Sequence, residues 1–115
     1  MDNGSFVRIP TAVVDALMGL NLRPYEARVL FFIFRQQYGW HRGYVDIGFS
    51  RLARTLGLDR SNTRRALFSL ADRNILLVEL NASGRTRARV NPTTSGWLAS
   101  PARQMKLGLK NEGGS

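Results

Sequence analysis

The stretch from Gly48 to Leu76 constrains the fold more than any other part of the chain. Its apolar pattern predicts a short helix that ends at Gly57, and a Gly-Leu-Asp turn then leads into a longer helix that begins after Asp59. The longer helix has an apolar stripe at helical spacing (Thr63, Ala66, Leu67, Leu70) and arginine on the opposite face. This arrangement is typical of a helix-turn-helix that reads the DNA major groove.

The charge of the chain indicates a polyanionic partner. The 115 residues carry a net charge of +9, and fifteen of the seventeen basic residues are arginine, which suits bidentate contacts to guanine and phosphate. Double-stranded DNA fits better than an anionic membrane, because the charge lies on the helix-turn-helix pattern and not beside an exposed apolar stripe. A charge that serves solubility alone leaves this clustering unexplained.

Composition argues against several other classes of protein. Without cysteine the chain has no disulfide, zinc finger or thiol chemistry. His41 is the only histidine, so we expect no metal site and no catalytic base there. No phosphate-binding loop or nucleophile elbow is present, and we expect neither an enzyme nor a cofactor. No window approaches the ~18 apolar residues of a membrane span, and the start lacks a signal-peptide layout; a cytoplasmic, nucleoid-associated protein is expected.

Proline and glycine mark the ends of two further predicted helices. Pro10 and Pro24 suit first helical turns, and Gly19 and Gly39 end the helices. The first helix is expected to bury one face, made of Val13, Val14, Leu17 and Met18. The second is apolar almost all round and is predicted to be the central core helix, with an aromatic core cluster of Phe31, Phe32, Phe34 and Trp40.

Residues with a period of two predict three strands. They are residues 44–47, residues 75–80 and residues 85–90, and the last two form a hairpin around the turn 81–84. A basic hairpin after a recognition helix is a wing, so the predicted fold is mainly α with a small β-hairpin, a winged helix-turn-helix in the order α-α-β-α-α-β-β. We expect a flexible start (1–5), one winged-helix domain (6–98), in which Trp97 and Leu98 pack back on the core, and a flexible tail or linker (99–115).

Arg65 is the first candidate for a base contact, because it lies in the N-terminal half of the recognition helix (59–73), opposite the apolar stripe. Its neighbours offer further base or phosphate contacts: Arg60, Ser61, Asn62 and Arg64. Asparagine pairs bidentately with adenine. A merely solvated helix face is the alternative, but the nine arginines between Ser50 and Arg89 are matched only by Asp59, Asp72 and Glu79.

The wing (81–90) supplies a second set of candidates. Arg85, Arg87 and Arg89 alternate with small residues and are expected on one side of the strand. A phosphate backbone or minor groove would relieve their mutual repulsion; a charged edge strand that blocks aggregation is the alternative interpretation. On the first helix of the motif, Arg51 and Arg54 are candidate phosphate contacts. Phe68 lies off the apolar stripe and is predicted either to pack under the wing or to belong to a dimer surface.

The order of these features resembles the N-terminal DNA-binding domain of the bacteriophage replication protein O family. The resemblance covers Phe6 to about Trp97, and an aromatic-Gly-aromatic segment is its most distinctive part. Four segments carry it: Phe6-Val7-Arg8-Ile9-Pro10, Arg28-Val29-Leu30 with Arg35, Tyr38-Gly39-Trp40, and residues 52–58 with Arg60. Gly48, where the family favours a serine-like cap, and the arginine-rich wing depart from the family pattern.

The resemblance implies an origin-binding initiator. Such proteins recognise repeated sites in a replication origin, often as homodimers, and recruit a helicase through a helicase loader. The family's loader-binding part lies C-terminal to this domain, so a loader or helicase is an expected partner only where such a part exists. Two alternatives stay open: a winged-helix transcriptional regulator, and a winged-helix module that binds protein and not nucleic acid.

Overall fold

Helices and strands follow one another in the predicted order. The computed structural model describes residues 8–40 and 42–100. In these ranges the elements are α1 (Thr11–Met18), α2 (Pro24–Gly39), β1 (Val45–Ile47), α3 (Phe49–Leu56), α4 (Arg60–Asp72), β2 (Leu76–Leu80) and β3 (Thr86–Val90), followed by a short 3₁₀ helix at Thr94–Gly96. A mainly helical winged helix-turn-helix with a small antiparallel sheet is therefore confirmed. The predictions for residues 1–7, His41 and 101–115 lie outside the described residues.

β3 is the central strand of a three-stranded antiparallel sheet with the order β1-β3-β2. Ala88 of β3 lies opposite Val45 on one side and opposite Val78 on the other. The pairing of β2 with β3 is the predicted hairpin, whereas residues 44–47 give no sequence signal for their distant partner. Because β3 has a neighbour on each edge, the alternative interpretation of its arginines as an edge-strand device is wrong.

The core lies between the inner face of this sheet and one face of each long helix. The predicted stripe of α4 is buried as expected, and α2 buries the face made of Glu26, Val29, Leu30, Ile33, Phe34 and Gln37. Gln37 links the two layers, because its Oε1 accepts the Val90 N–H at 2.8 Å. Trp97 packs against the core as predicted, and its Nε1 donates to the Asn91 carbonyl at 3.0 Å.

Two aromatic residues predicted in the core are exposed instead. Phe31 is 53% exposed and Trp40 is 57% exposed, so this part of the core prediction is wrong. A continuous apolar run on a helix turns through about 100° per residue and reaches more than one face. Only residues at the spacing of the buried face point inward, and Trp40 follows the end of α2 altogether.

The predicted apolar face of α1 is also only partly correct. Val13 is buried and Leu17 is half-buried, but Val14 and Met18 are exposed. Pro10 is the N-cap residue of α1, one position before the helix begins. A helix this short buries a narrow stripe, and the remaining apolar side chains stay in contact with solvent.

Candidate nucleic-acid interface

The turn between α3 and α4 is set by Gly57, through its backbone conformation, and by Asp59, through its side chain. Gly57 ends α3 with a φ of +70°, a left-handed conformation that favours glycine. The next N–H, from Leu58, donates to the Ala53 carbonyl at 2.9 Å, which completes a Schellman cap. Asp59 then caps α4, because its Oδ2 accepts the Asn62 N–H at 3.0 Å. Both predictions for this turn are confirmed, and three residues join the two helices.

The first two turns of α4 present arginine to solvent. The predicted recognition residues of this segment are exposed at Arg60, Ser61, Arg64 and Arg65 and half-buried at Asn62. Within residues 8–40 and 42–100, none of these three arginines forms a salt bridge with a carboxylate. Their charge is therefore available to a negatively charged partner.

A chain of hydrogen bonds holds Arg65 in place on this face. Asn62 Nδ2 donates to Asp59 Oδ1 at 2.6 Å, and Arg65 Nη1 donates to Asn62 Oδ1 at 3.0 Å. The hydrogen bonds from the Asn62 backbone and side chain hold the pKa of Asp59 below its ordinary value. The helix cap thus also orients the amide that positions the arginine, an arrangement that the sequence pattern did not reveal.

Arg64 is held in a different way, by stacking on two aromatic rings. Its guanidinium lies 5.2 Å from the ring centroid of Phe49 and 5.1 Å from that of Phe68. The two rings are 6.2 Å apart, so Phe68 packs beside the first residue of α3. Cation–π contacts of this kind restrict a long side chain that would otherwise sample many rotamers.

The remaining two candidates of the helix-turn-helix lie on its first helix, α3. Arg51 and Arg54 are both exposed. Arg54 lies in the last turn of α3, where positive charge complements the helix dipole. Arg51 lines a cleft between α2 and α3, beside Phe32 and Gln36. The structure therefore brings seven of the ten predicted site residues onto the helix-turn-helix.

The tip of the wing is a tight, hydrogen-bonded turn. Asn81 Oδ1 accepts the N–H groups of Ser83 and Arg85 at 3.0 and 2.9 Å, and Gly84 adopts a φ of +84°. Arg85 is exposed and lies just before β3, not within it. Arg87 and Arg89, by contrast, are half-buried, so Arg85 is the most exposed of the three wing candidates.

Arg87 and Arg89 lie on the outer face of the sheet. The residues between them and on either side are buried against the helices, so alternation along β3 turns both arginines away from the core. Arg87 forms an ion pair with Glu79 on β2. The hydrogen bond that Arg87 donates to this carboxylate raises the pKa of Arg87 above its ordinary value. Both guanidinium groups also stack over Tyr44, at 4.6 and 5.7 Å from the ring centroid.

The guanidinium groups of Arg87 and Arg89 are thus engaged by other side chains of the wing and its surroundings, and Arg87 differs from the arginines of α4 in having a carboxylate partner. Burial raises the pKa of Tyr38, and the nearby positive charge of Arg89 partly opposes that rise. Within the described residues Arg89 Nε is buried without a hydrogen-bond partner. The expectation that acidic partners are missing from this region is wrong for Arg87, because cross-strand pairing places Glu79 directly opposite it.

A family model of known proteins matches most of the chain. It describes the bacteriophage replication protein O family and matches residues 1–97. The chain belongs to this family. The match ends where the sequence resemblance was expected to end, at Trp97. No curated protein and no solved structure matches the chain.

Membership of the replication protein O family gives the chain a replication-related DNA-binding role. Two of the segments that carried the resemblance lie on α2 and at its end, outside the two helices of the helix-turn-helix. In the part of the chain that the structure describes, no group of acidic or histidine side chains could hold a metal ion. No described helix is both long enough and apolar enough to cross a membrane.

Arg73 is the residue of this replication protein O domain that the sequence interpretation most clearly missed. The sequence groups it with the arginines that lack acidic partners, yet it is fully buried and its Nη1 donates to Glu26 Oε1 at 2.9 Å. Glu26 also accepts the Arg23 N–H at 2.9 Å and the Ser69 hydroxyl, so this buried pair joins the start of α2 to the end of α4. Arg73 lies three residues after Leu70 and so continues the buried stripe of α4, and this spacing is the sequence signal that identifies Arg73 as buried.

Proposed function

We propose that the chain recognises a specific double-stranded DNA site in a replication origin, with α4 in the major groove. The observation that carries this proposal is the exposed N-terminal half of α4, whose three arginines form no salt bridge with a carboxylate of the described residues. Recognition helices meet base edges with this half. Family membership favours an origin over a promoter as the location of the site.

Arg65 reads a base in this proposal. Arginine donates two parallel hydrogen bonds to guanine O6 and N7, and the Asn62 amide fixes the direction of the Arg65 side chain before DNA is bound. Arg60 and Arg64 lie one helical turn apart and contact a base or the adjacent phosphates. Ser61 adds a short hydrogen-bonding group at the start of the helix.

Backbone contacts hold the domain on the duplex. Arg51 and Arg54 on α3 and Arg85 at the wing tip contact phosphates or the minor groove. Arg87 and Arg89 contribute mainly long-range positive potential, because their guanidinium groups are engaged with Tyr44 and, for Arg87, with Glu79. Two chains bind side by side as a homodimer where the site is repeated or palindromic.

The experiment that tests this proposal is selection of the preferred site from a random duplex library, followed by footprinting on the DNA that contains it. Protection of tandem repeats within an origin is the expected result. Protection of a single palindrome at a promoter would instead identify a transcriptional regulator, and failure to enrich any sequence would contradict specific recognition.

Arg65→Ala provides the residue-level prediction. On the selected site it should lose ~1–3 kcal/mol of binding free energy and relax preference at one base position, while affinity for random duplex changes little. Arg87→Ala is the matched control and should weaken all sequences to the same small extent. Equal losses on selected and random duplexes for Arg65→Ala would contradict its assignment as a base-reading residue.

A further inference from the structure

The exposed face of α2 alternates arginine and aromatic side chains. Arg28, Phe31 and Arg35 follow one another at spacings of three and four residues, which places them on one side of the helix, and Trp40 lies directly after its end. All four are exposed, and the two aromatic residues have more than half of their surface in contact with solvent. We call these four residues the α2 aromatic–arginine face.

Within the described residues neither arginine of this face forms a salt bridge with a carboxylate. No acidic residue occurs from Ala27 to Val45, and Glu26, which precedes them, is buried against Arg73. Arg42, which is exposed just beyond Trp40, extends the basic stretch. A negatively charged ligand therefore complements the face.

The side chains of the face are held in place by local contacts. The Arg35 guanidinium lies 5.1 Å from the centroid of the Trp40 ring, and Arg28 Nη1 donates to the Leu56 carbonyl at 3.3 Å. The Phe31 ring lies 6.1 Å from the buried ring of Phe34. Flat surfaces that are already oriented lose little conformational entropy when a second flat group stacks on them.

We propose that the α2 aromatic–arginine face binds single-stranded DNA. Unpaired bases stack on Phe31 and Trp40, and the two arginines contact the phosphates between them, which is the combination that binds single strands without sequence preference. A duplex keeps the faces of its bases stacked inside the helix, so exposed aromatic rings gain nothing from it. The chemistry of the face thus favours single strands over duplex.

The single-strand surface lies on the other side of α2 from the proposed duplex surface, and only Arg28 reaches the helix-turn-helix, through its hydrogen bond to the Leu56 carbonyl. The opposite, buried face of α2 packs against α4, so the aromatic–arginine face points away from the recognition helix. One chain can therefore hold a duplex site on α4 and an unpaired strand on α2 at the same time. Replication separates strands next to duplex DNA, so both ligands are present together.

The first test uses the full chain and its own tryptophan fluorescence. An oligo(dT) of about 15 nucleotides is titrated beside an oligonucleotide of the same length in which every site is abasic, so that the phosphate charge is equal. Stacking on Trp40 should quench fluorescence with oligo(dT) only, and oligo(dT) should bind at least about fivefold more tightly. Equal affinity for the two oligonucleotides would overturn the proposal.

The second test separates this surface from α4. The double variant Phe31→Ser, Trp40→Ser should bind oligo(dT) at least about fivefold more weakly and keep its duplex affinity. Met18→Ser removes an exposed apolar side chain elsewhere and is the matched control; neither affinity should change. Thermal melting followed by circular dichroism checks that each variant folds.

Two further outcomes of the second test would overturn the proposal. A loss of duplex and oligo(dT) binding to the same extent would assign the face to general DNA affinity. A change from dimer to monomer in sedimentation, with oligo(dT) affinity intact, would assign the face to contact between copies of this chain. Arg65→Ala distinguishes a failure of the duplex proposal, because it should leave oligo(dT) binding unchanged.

Discussion

Asp59 has two roles at once, because its two carboxylate oxygens face different groups. Oδ2 caps α4 by accepting a hydrogen bond from the Asn62 backbone N–H. Oδ1 accepts a hydrogen bond from the side-chain amide of Asn62, and the oxygen of that amide accepts a hydrogen bond from Arg65. The stability of the helix start and the orientation of the base-reading arginine are therefore coupled through one carboxylate. Loss of its charge weakens both.

The depressed pKa of Asp59 gives a pH prediction. Because the folded state favours the ionised carboxylate, its contribution to stability is complete above the unfolded-state pKa of about 4 and is lost as pH falls through the lower folded-state pKa. Asp59→Ala should therefore lower the melting temperature at pH 7, and the difference from the unsubstituted chain should shrink below about pH 4.

Circular dichroism melts between neutral pH and pH 3 measure this effect. Asp72→Ala, at the other end of α4, is the control, since no described N–H is capped by Asp72 and its removal should not lower the melting temperature. A melting difference for Asp59→Ala that stays constant across the acid range would contradict the capping role.

Arg73 is the residue with the largest expected effect on stability. Its guanidinium pairs with Glu26, and its remaining N–H groups donate to the carbonyls of Leu98 and Ala99. Arg73→Ala leaves the Glu26 carboxylate buried without its cation, so it should destabilise the domain by ~3–5 kcal/mol in urea unfolding. That is a large fraction of the stability of a typical domain.

A pair of comparisons isolates the ionic contribution. The double variant Glu26→Met, Arg73→Met should recover part of the loss, because it removes the unpaired charge and refills the volume. Arg54→Ala removes an exposed arginine and should change the free energy of unfolding by no more than ~0.5 kcal/mol. A small effect of Arg73→Ala, similar to that of Arg54→Ala, would show that the buried pair is dispensable.

At the scale of elements, the sequence predicts those features that depend on residues close together in the chain, such as helix ends and tight turns. Gly57 and Asp59 mark the turn because only particular residue types satisfy a left-handed backbone or the free N–H groups of a helix start. The hairpin follows from a short turn between two strands. Pairing of β1 with β3 has no such signal, because the two strands are far apart in the chain, with α3, α4 and β2 between them.

Side-chain direction within an element was predicted less well. The six consecutive apolar residues of α2 do not indicate which face is inward, and Phe31, a predicted core residue, lies on the surface. On β3 the alternation of Arg87 and Arg89 was predicted correctly, but the Glu79 opposite Arg87 depends on the register of the hairpin. Register is set by turn geometry and core packing, so the residue opposite Arg87 cannot be predicted from composition.

Gly57 provides the prediction for the turn element. A Cβ at this position meets no atom within 4 Å, so Gly57→Ala adds only conformational strain at a φ of +70°. A left-handed alanine costs ~1–2 kcal/mol, and urea unfolding should show a loss of that size. Gly43→Ala is the matched control, since its Cβ is equally free and its φ is not in the left-handed region. A loss for Gly43→Ala as large as for Gly57→Ala would contradict this explanation.

At the scale of the whole molecule, net charge sets how binding responds to salt. With a net charge of +9 and arginines on α3, α4 and the wing, the chain should displace several counterions from duplex DNA. Affinity for a random-sequence duplex should fall steeply between roughly 50 and 200 mM salt, by a factor on the order of a thousand if about six phosphates are contacted.

Filter binding or fluorescence anisotropy across this salt range measures the slope. Arg85→Ala should make the slope shallower by about one unit, as expected for the loss of one phosphate contact. A flat dependence on salt would contradict a nucleic-acid role for the arginine surfaces and would favour a protein partner.

The pairing of β1 with β3 also determines how small a transferable DNA-reading module can be. The helix-turn-helix lies between two strands that are hydrogen-bonded to each other, and Gln37 of α2 bonds the last residue of β3. A peptide that contains only α3 and α4 keeps six exposed polar residues of the reading surface. It lacks the paired strands and the Gln37 hydrogen bond that hold the two helices in place. A graft into another scaffold therefore has to carry the chain from α2 through Ala99, because the carbonyls of Leu98 and Ala99 accept hydrogen bonds from the buried Arg73.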